Sequence, residues 1–436
     1  MGIGPRIGRR SFLQLSAMTV ACAMKGKGQG LPAVLSSSVV RKKVAAIAAT
    51  FSMRSVADNL ITRLLQGYWI GNKYHEPQCD VVSLYVDRIE ATDLGRRISE
   101  AYGITQARTI PEALTLGSGS LAVDGVLLTG GDEYQKTEDV PSAHDLRFKF
   151  FEQIVEVFRK SGRSVPVFCA GDLSANWDEA RQMQQWSKEM NFSLMAGASA
   201  SVTFRRPDLD YPLPRDFDDA PLGDRAHHNF TFGVDFEEAL VICPSGLPAV
   251  FCSLEILQAF LERRRTGETG IRSVECFLDG AVWQSARDGR WPKALMQAAL
   301  ERAERLGKGR PEDVEHPVVW LIEHNDGTRS AILSLGEMVS EYLAAFRLQG
   351  GQEIDSTLCY TPVESVNDFS MLAEGFSQMV ITGASPYPIE RNLLTTGTFL
   401  QVSGSRLRNG GRIETPMLQI AYAAPEHSFY ARGRGW

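Results

Sequence analysis

From residue 42 to about 204, short unbroken apolar runs alternate with longer stretches whose apolar positions recur at helical spacing. The runs at 43–49 (K-V-A-A-I-A-A), 80–86 (D-V-V-S-L-Y-V), 123–129 (V-D-G-V-L-L-T), 165–169 and 194–198 have the length and continuity of strands buried on both faces. Between the first two, 55–68 places Val56, Leu60, Leu64 and Leu65 near helical spacing, and 93–102, 110–116, 148–161 and 177–190 read as further helices. Strands separated by helices pair in parallel through right-handed crossovers, so 42–204 is expected to be an α/β Rossmann-like doubly wound parallel sheet.

The texture changes past Arg205-Arg206-Pro207, where a Pro- and Asp-rich stretch runs to Asp224 and marks a domain boundary. Beyond it, 253–265, 292–306, 368–382 and 389–403 read as helices and 271–278 as a strand. The runs 318–324 and 328–335 flank Asn325-Asp326-Gly327, whose Asp-Gly pair supplies the positive backbone angles of a tight hairpin. A second strand pair is expected at 343–348 and 354–360. Residues 205–436 therefore predict a C-terminal α+β domain with an open-faced, mostly antiparallel sheet on which the last two helices pack. No internal repeat breaks this plan.

The first 41 residues follow another logic. Arg9-Arg10-Ser11-Phe12-Leu13-Gln14 precedes a modest apolar run at 15–24, the order of a twin-arginine export signal, and a Gly- and Ser-rich linker follows. The run is shorter than the roughly 20 residues a membrane-spanning helix needs. Ala21-Cys22-Ala23 fits small-x-small cleavage, while Thr19-Val20-Ala21-Cys22 is an imperfect lipoprotein box that would make Cys22 a lipid anchor. The twin-arginine translocase is thus an expected partner and the periplasm the expected location. That route carries proteins already folded, which suits a nucleotide-binding fold.

Composition narrows the function classes. At roughly 150 residues per domain, 436 residues make two to three domains. Lys+Arg 46 against Asp+Glu 52 leaves a net charge of −6, without the basic excess that neutralises a phosphate backbone, so nucleic acid is not an expected partner. The seven cysteines, Cys22, Cys79, Cys169, Cys243, Cys252, Cys276 and Cys359, form neither a disulfide framework nor a zinc pattern. H-E-x-x-H, G-x-S-x-G and phosphate-loop motifs are absent. His227-His228 lacks a third ligand at useful spacing, so no metal is expected. The run Glu262-Arg263-Arg264-Arg265 reads as a solvated helix end. Trp283, Trp291 and Trp320 read as core aromatics ahead of sugar-stacking ones.

The order of elements, with V-P-V-F-C-A-G-D-L-S-A-N-W-D-E-A-R (165–181) and G-A-S-P-Y-P-I-E-R-N-L-L-T-T (383–396), resembles the glucose-fructose oxidoreductase, inositol dehydrogenase and rhizopine catabolism (Gfo/Idh/MocA) family over about 42–425. The resemblance implies a Rossmann domain that binds NAD or NADP, and a sheet domain that carries a sugar-like or cyclitol substrate. It also implies a lysine in E-K-P that positions the substrate and a histidine in D-x-G-x-H-x-x-D that exchanges the hydroxyl proton. Here Ala170-Gly171-Asp172 stands at E-K-P, putting Gly171 at the lysine, and 248–255 aligns with the other segment, putting Cys252 at the histidine. Asp172 and Glu255 are the titratable groups left near those positions and are the candidate catalytic residues. Cys252 has no histidine partner in the sequence and is read as an inert thiol.

The nucleotide fingerprint is altered too. Where a Rossmann strand leads into G-x-G-x-x-G, this chain has Ala48-Ala49-Thr50-Phe51-Ser52-Met53-Arg54-Ser55. Thr50 and Ser52 in that turn, Asp87 at the ribose position after the second strand, and Thr129, Gly130 and Gly131 after the third are the candidate cofactor-binding residues. Three classes remain open: a catalytically degenerate member that holds a nucleotide or sugar-like ligand, an NAD(P)-dependent oxidoreductase with a rebuilt site, and a non-catalytic binding or assembly protein. An uncovered sheet face is sticky, so a homo-oligomer is expected under each.

Overall fold

The computed structural model describes residues 41–130, 146–210, 230–363 and 365–432. Residues Arg41–Trp436 gather into one compact unit. Cys22, Gly131 and His227-His228 lie outside the described residues, as does most of the Pro- and Asp-rich stretch.

The first half begins with β1 (Lys42–Ala48), α1 (Val56–Gln66), the short hairpin β2 (Tyr68–Ile70) and β3 (Lys73–His75), and β4 (Cys79–Val86). It continues through α2 (Gly95–Tyr102), β5 (Thr105–Gln106), α3 (Ile110–Thr115), β6 (Gly125–Thr129), α4 (Arg147–Ser161), β7 (Val167–Ala170), α5 (Trp177–Glu189) and β8 (Leu194–Gly197). Six strands form one sheet in the order β5-β4-β1-β6-β7-β8. Every pair in it is parallel. The chain leaves β1 toward β4 on one side and returns to β6 on the other. The strand order therefore reverses beside β1, and at such a switch point a doubly wound sheet has its crevice at the carboxyl ends of the strands, here β1, β4 and β6. The apolar continuity seen in the sequence has its cause here: Val44, Ala45, Ala46, Ile47 and Ala48 are all buried, alternately in the cores on the two faces of the sheet.

The second half contributes β9 (Phe204–Arg206), β10 (Phe236–Cys243), α6 (Leu247–Leu261), β11 (Ile271–Leu278), α7 (Gly280–Arg287) and α8 (Lys293–Leu300). After these come β12 (Val318–His324), β13 (Arg329–Ser334), β14 (Tyr342–Leu348), β15 (Ile354–Tyr360), α9 (Phe369–Thr382), α10 (Ile389–Leu407) and β16 (Ile413–Glu414). The eight strands run β16-β11-β12-β13-β10-β14-β15-β9. Only β10 and β13 pair in parallel, and the hairpin around Gly327 forms as the Asp-Gly turn predicts. One face of the sheet packs on α6 and α10. On the other, Trp283, Trp291, Leu295 and Met296 of the α7–α8 segment lie against Leu240, Ile242, Leu343 and Ala345.

Several expectations change. Helix α6 starts six residues earlier than the predicted 253, because Gly246 and Pro248 form its entry and nearly every side chain along it is buried, which erases amphipathic periodicity. The charge run at its end is not solvated: Glu262, Arg263 and Arg264 are buried among partners. Helix α9 packs on α1 and the first sheet through Leu372, Phe376 and Met379, not on the second sheet. The strands β9 and β10 and helix α7 went unread. Trp283, Trp291 and Trp320 are buried core residues, as expected.

Candidate functional site: the crevice beside β1 and the seam against α6

The turn after β1 folds on itself. Phe51 is buried and its carbonyl accepts the Leu94 amide at 2.8 Å, which anchors the turn to the chain entering α2. Ser55 caps α1 by accepting the Asp58 amide at 3.2 Å, and Asp58 Oδ2 accepts the Arg54 amide at 2.7 Å. The Ser55 amide bonds the Ser52 carbonyl at 3.1 Å. A Rossmann turn holds pyrophosphate with free backbone donors at a helix N-terminus. Here the donors of Arg54, Ser55 and Asp58 are engaged internally and a carboxylate stands in the first turn of α1.

The rest of the crevice fits a nucleotide better. Asp87 is exposed directly after β4, tied to β1 through its amide on the Ala48 carbonyl at 3.0 Å, and accepts the Tyr85 hydroxyl at 2.8 Å. Thr50 and Ser52 are partly buried in the turn. Thr129 ends β6 fully buried, with a hydroxyl that has no hydrogen-bond partner. The structure thus brings Thr50, Ser52, Asp87, Thr129 and Gly130 around one crevice. Asp87 would suit a ribose, whereas the engaged donors of the β1–α1 turn do not fit a pyrophosphate.

At the position the resemblance gives to lysine, Gly171 has φ +96°, a conformation L side chains rarely adopt. A Cβ there would stand 3.0 Å from Nη1 of Arg147, whose side chain also lies against Gly130. Arg147, at the start of α4, pairs with Asp172 in an ion pair that is buried on both sides. Asp172 is fully buried. Its carboxylate is committed to that guanidinium.

The Gly171 amide bonds the Gly197 carbonyl at 3.0 Å, and the reverse bond is 2.9 Å. Gly197 in turn faces Glu255: an added Cβ would come within 2.5 Å of Glu255 Oε2. Through this glycine the Asp172 loop and α6 meet at one seam. Glu255 is fully buried, accepts from Asn392 at 3.2 Å and from the Thr395 hydroxyl, and burial pushes its carboxyl above the ordinary range. Both candidate carboxylates are thus enclosed and hydrogen-bonded within the protein.

Cys252, one turn earlier on α6, is half-buried, and desolvation pushes its thiol up to about 12, so it is protonated at neutral pH. Tyr342 of β14 lies beside it, and burial raises that hydroxyl too. Asp368, just before α9, accepts the Ser199 hydroxyl and is raised by burial as well, with Arg63 of α1 opposing that rise. Arg147, Tyr342, Asp368 and Ser199 are residues that sequence reasoning missed. They come from four separate elements, and no motif or spacing links them. Among the described residues no cluster of His, Cys, Asp and Glu is arranged to hold a metal.

A six-stranded parallel Rossmann-type sheet joined to a mixed, mostly antiparallel sheet is a fold this chain shares with solved structures. GenD2 from gentamicin A biosynthesis, solved with NAD, shares it at a TM-score of 0.52 and 12% identity, over 90% of this chain and 99% of that one. An apo scyllo-inositol dehydrogenase from Lactobacillus casei aligns at 0.48 and 10% identity, over 86% of this chain and 98% of its own. A myo-inositol 2-dehydrogenase from Lactobacillus plantarum aligns at 0.48 and 9% identity, over 86% and 99%. No family model and no curated protein sequence matches the chain. Identities this low establish the fold alone.

Proposed function

We propose that this chain is an exported Gfo/Idh/MocA-like protein that has lost the proton-handling machinery of that fold and acts by holding a sugar-like ligand rather than by turnover. One observation carries this reading: the Arg147–Asp172 pair occupies the space before Gly171, where the resemblance puts a substrate-positioning lysine. Cys252 supports it, because a thiol raised to about 12 is a poor proton acceptor at neutral pH. The engaged donors of the β1–α1 turn argue for weak or no retention of NAD or NADP. A homo-oligomer is proposed as well, through the part of the second sheet's face that lies beyond the α7–α8 segment packed on β10 and β14.

A second reading, an oxidoreductase with a rebuilt site, is favoured by the Cys252, Tyr342, Asp368 and Ser199 group converging at the seam. The experiment is acid release of nucleotide from the folded protein, followed by thermal shift with NAD and NADP and a turnover panel of sugars and cyclitols. A ligand specific to the native state must raise its stability. Binding without catalysis predicts no released nucleotide, no shift and no nicotinamide reduction. Stoichiometric NAD(P), or turnover abolished by Tyr342→Phe, would overturn that reading in favour of the rebuilt enzyme.

A further inference from the structure

A second cleft lies on the α5 side of the molecule, between that helix, the start of α10 and the segment 417–421. Its volume is about 480 Å³, within the range of small-molecule sites. Trp177 forms part of its wall. The indole belongs to the edges of both cores, one on each sheet, and a Cβ on Gly397 of α10 would lie 2.6 Å from its benzo ring. The ring is therefore fixed in place while remaining partly exposed. An aromatic wall held this way, with one edge in the core and one in solvent, is suited to stacking on the apolar face of a sugar ring.

The charges around it are arranged for an anion. Arg181, one turn along α5 from Trp177, is exposed and makes no hydrogen bond or ion pair among the described residues. Lys188 bridges to Glu390 of α10 at 2.8 Å across the same cleft, which cancels that lysine and leaves the Arg181 guanidinium as the uncompensated charge. Gln184 adds a side-chain amide to the wall. A planar guanidinium binds a carboxylate through two parallel hydrogen bonds, and an amide meets hydroxyls.

The geometry points to a binding site for a carboxylated sugar, a uronate of one or two rings, stacked on Trp177 with its carboxylate on Arg181. A free phosphate or a simple carboxylate would use the cation and not the indole, and a neutral sugar would use the indole and not the cation. The site is separate from the β1 crevice and does not depend on the reading given to that crevice.

The test is titration of the full folded protein with galacturonate and digalacturonate, followed by the 15N-labelled indole resonance of Trp177, with galactose, acetate and phosphate as controls. Saturable shifts of the Trp177 indole by the uronates are expected. Arg181→Gln, an exposed substitution, should weaken uronate binding about tenfold at unchanged melting temperature, the effect of losing a charged hydrogen bond. Trp177→Phe, which removes that resonance and is therefore titrated by calorimetry beside wild type, should weaken the uronates and leave acetate unaffected. No saturable shift, equal binding of galactose, or equal binding by the Arg181→Gln protein would each overturn the assignment, the last two showing that the carboxylate is not read.

Discussion

At Gly171 any L side chain would need a positive-φ backbone and would set its Cβ 3.0 Å from Nη1 of Arg147, so the arginine as placed here disfavours a lysine at that position. Its neighbour Asp172 was read from the sequence as a catalytic candidate because only its chemistry was visible. Enclosure and pairing with Arg147 are tertiary properties. His324 yields a prediction at the same scale. It is buried in the second sheet with Nε2 on the Ser330 hydroxyl at 2.8 Å, and burial together with Arg264 holds it well below its ordinary 6.5. The folded chain keeps it neutral while the unfolded chain takes up a proton as pH falls through 6.5. Its contribution is thus complete above that pH and lost below it. Denaturant melts at pH 7 and pH 5 should show the wild type losing on the order of 1–2 kcal/mol more than His324→Gln. Equal losses would place the acid sensitivity elsewhere.

Among the elements, those with a clean period were legible. The parallel strands were found because burial on both faces demands uninterrupted apolar residues, and the β12–β13 hairpin because Asp326-Gly327 fixes its turn. Helix α6 was misplaced and its charged end misjudged for the opposite reason: a helix buried on all sides has no polar face to give it a period. What surrounds that end is a polar network. Arg391 of α10 holds Glu262 in a bidentate pair, its Nε at 2.8 Å from Oε2, and the Tyr422 hydroxyl donates to the same oxygen at 2.8 Å. Removing the cation leaves a buried carboxylate uncompensated. Arg391→Ala should therefore cost about 3–5 kcal/mol in chemical denaturation, and Glu262→Gln combined with Arg391→Met should recover much of that loss. A cost near zero for Arg391→Ala would mean that the α6–α10 contact does not depend on the pair.

At the scale of the whole molecule, the proposed amino-terminal address and the folded body make separate demands. If Arg9-Arg10 is a twin-arginine signal, changing both to lysine should leave the folded protein inside the cell in a fractionation experiment, while wild type appears outside the inner membrane. Unchanged export would remove the assignment. Both sheets and most of their element order were written in the sequence, because hydrophobic period and turn chemistry act over a few residues and leave a local record. Gly171 and Cys252 were named by the resemblance to a family, not by period or turn chemistry. What surrounds them could not be named. Arg147 over Gly171, Glu255 against Gly197, and the gathering of Cys252, Tyr342, Asp368 and Ser199 at one seam each join residues tens to hundreds of positions apart. Such meetings are decided by how the two sheets and α10 pack, and no local pattern encodes which distant side chains packing brings together.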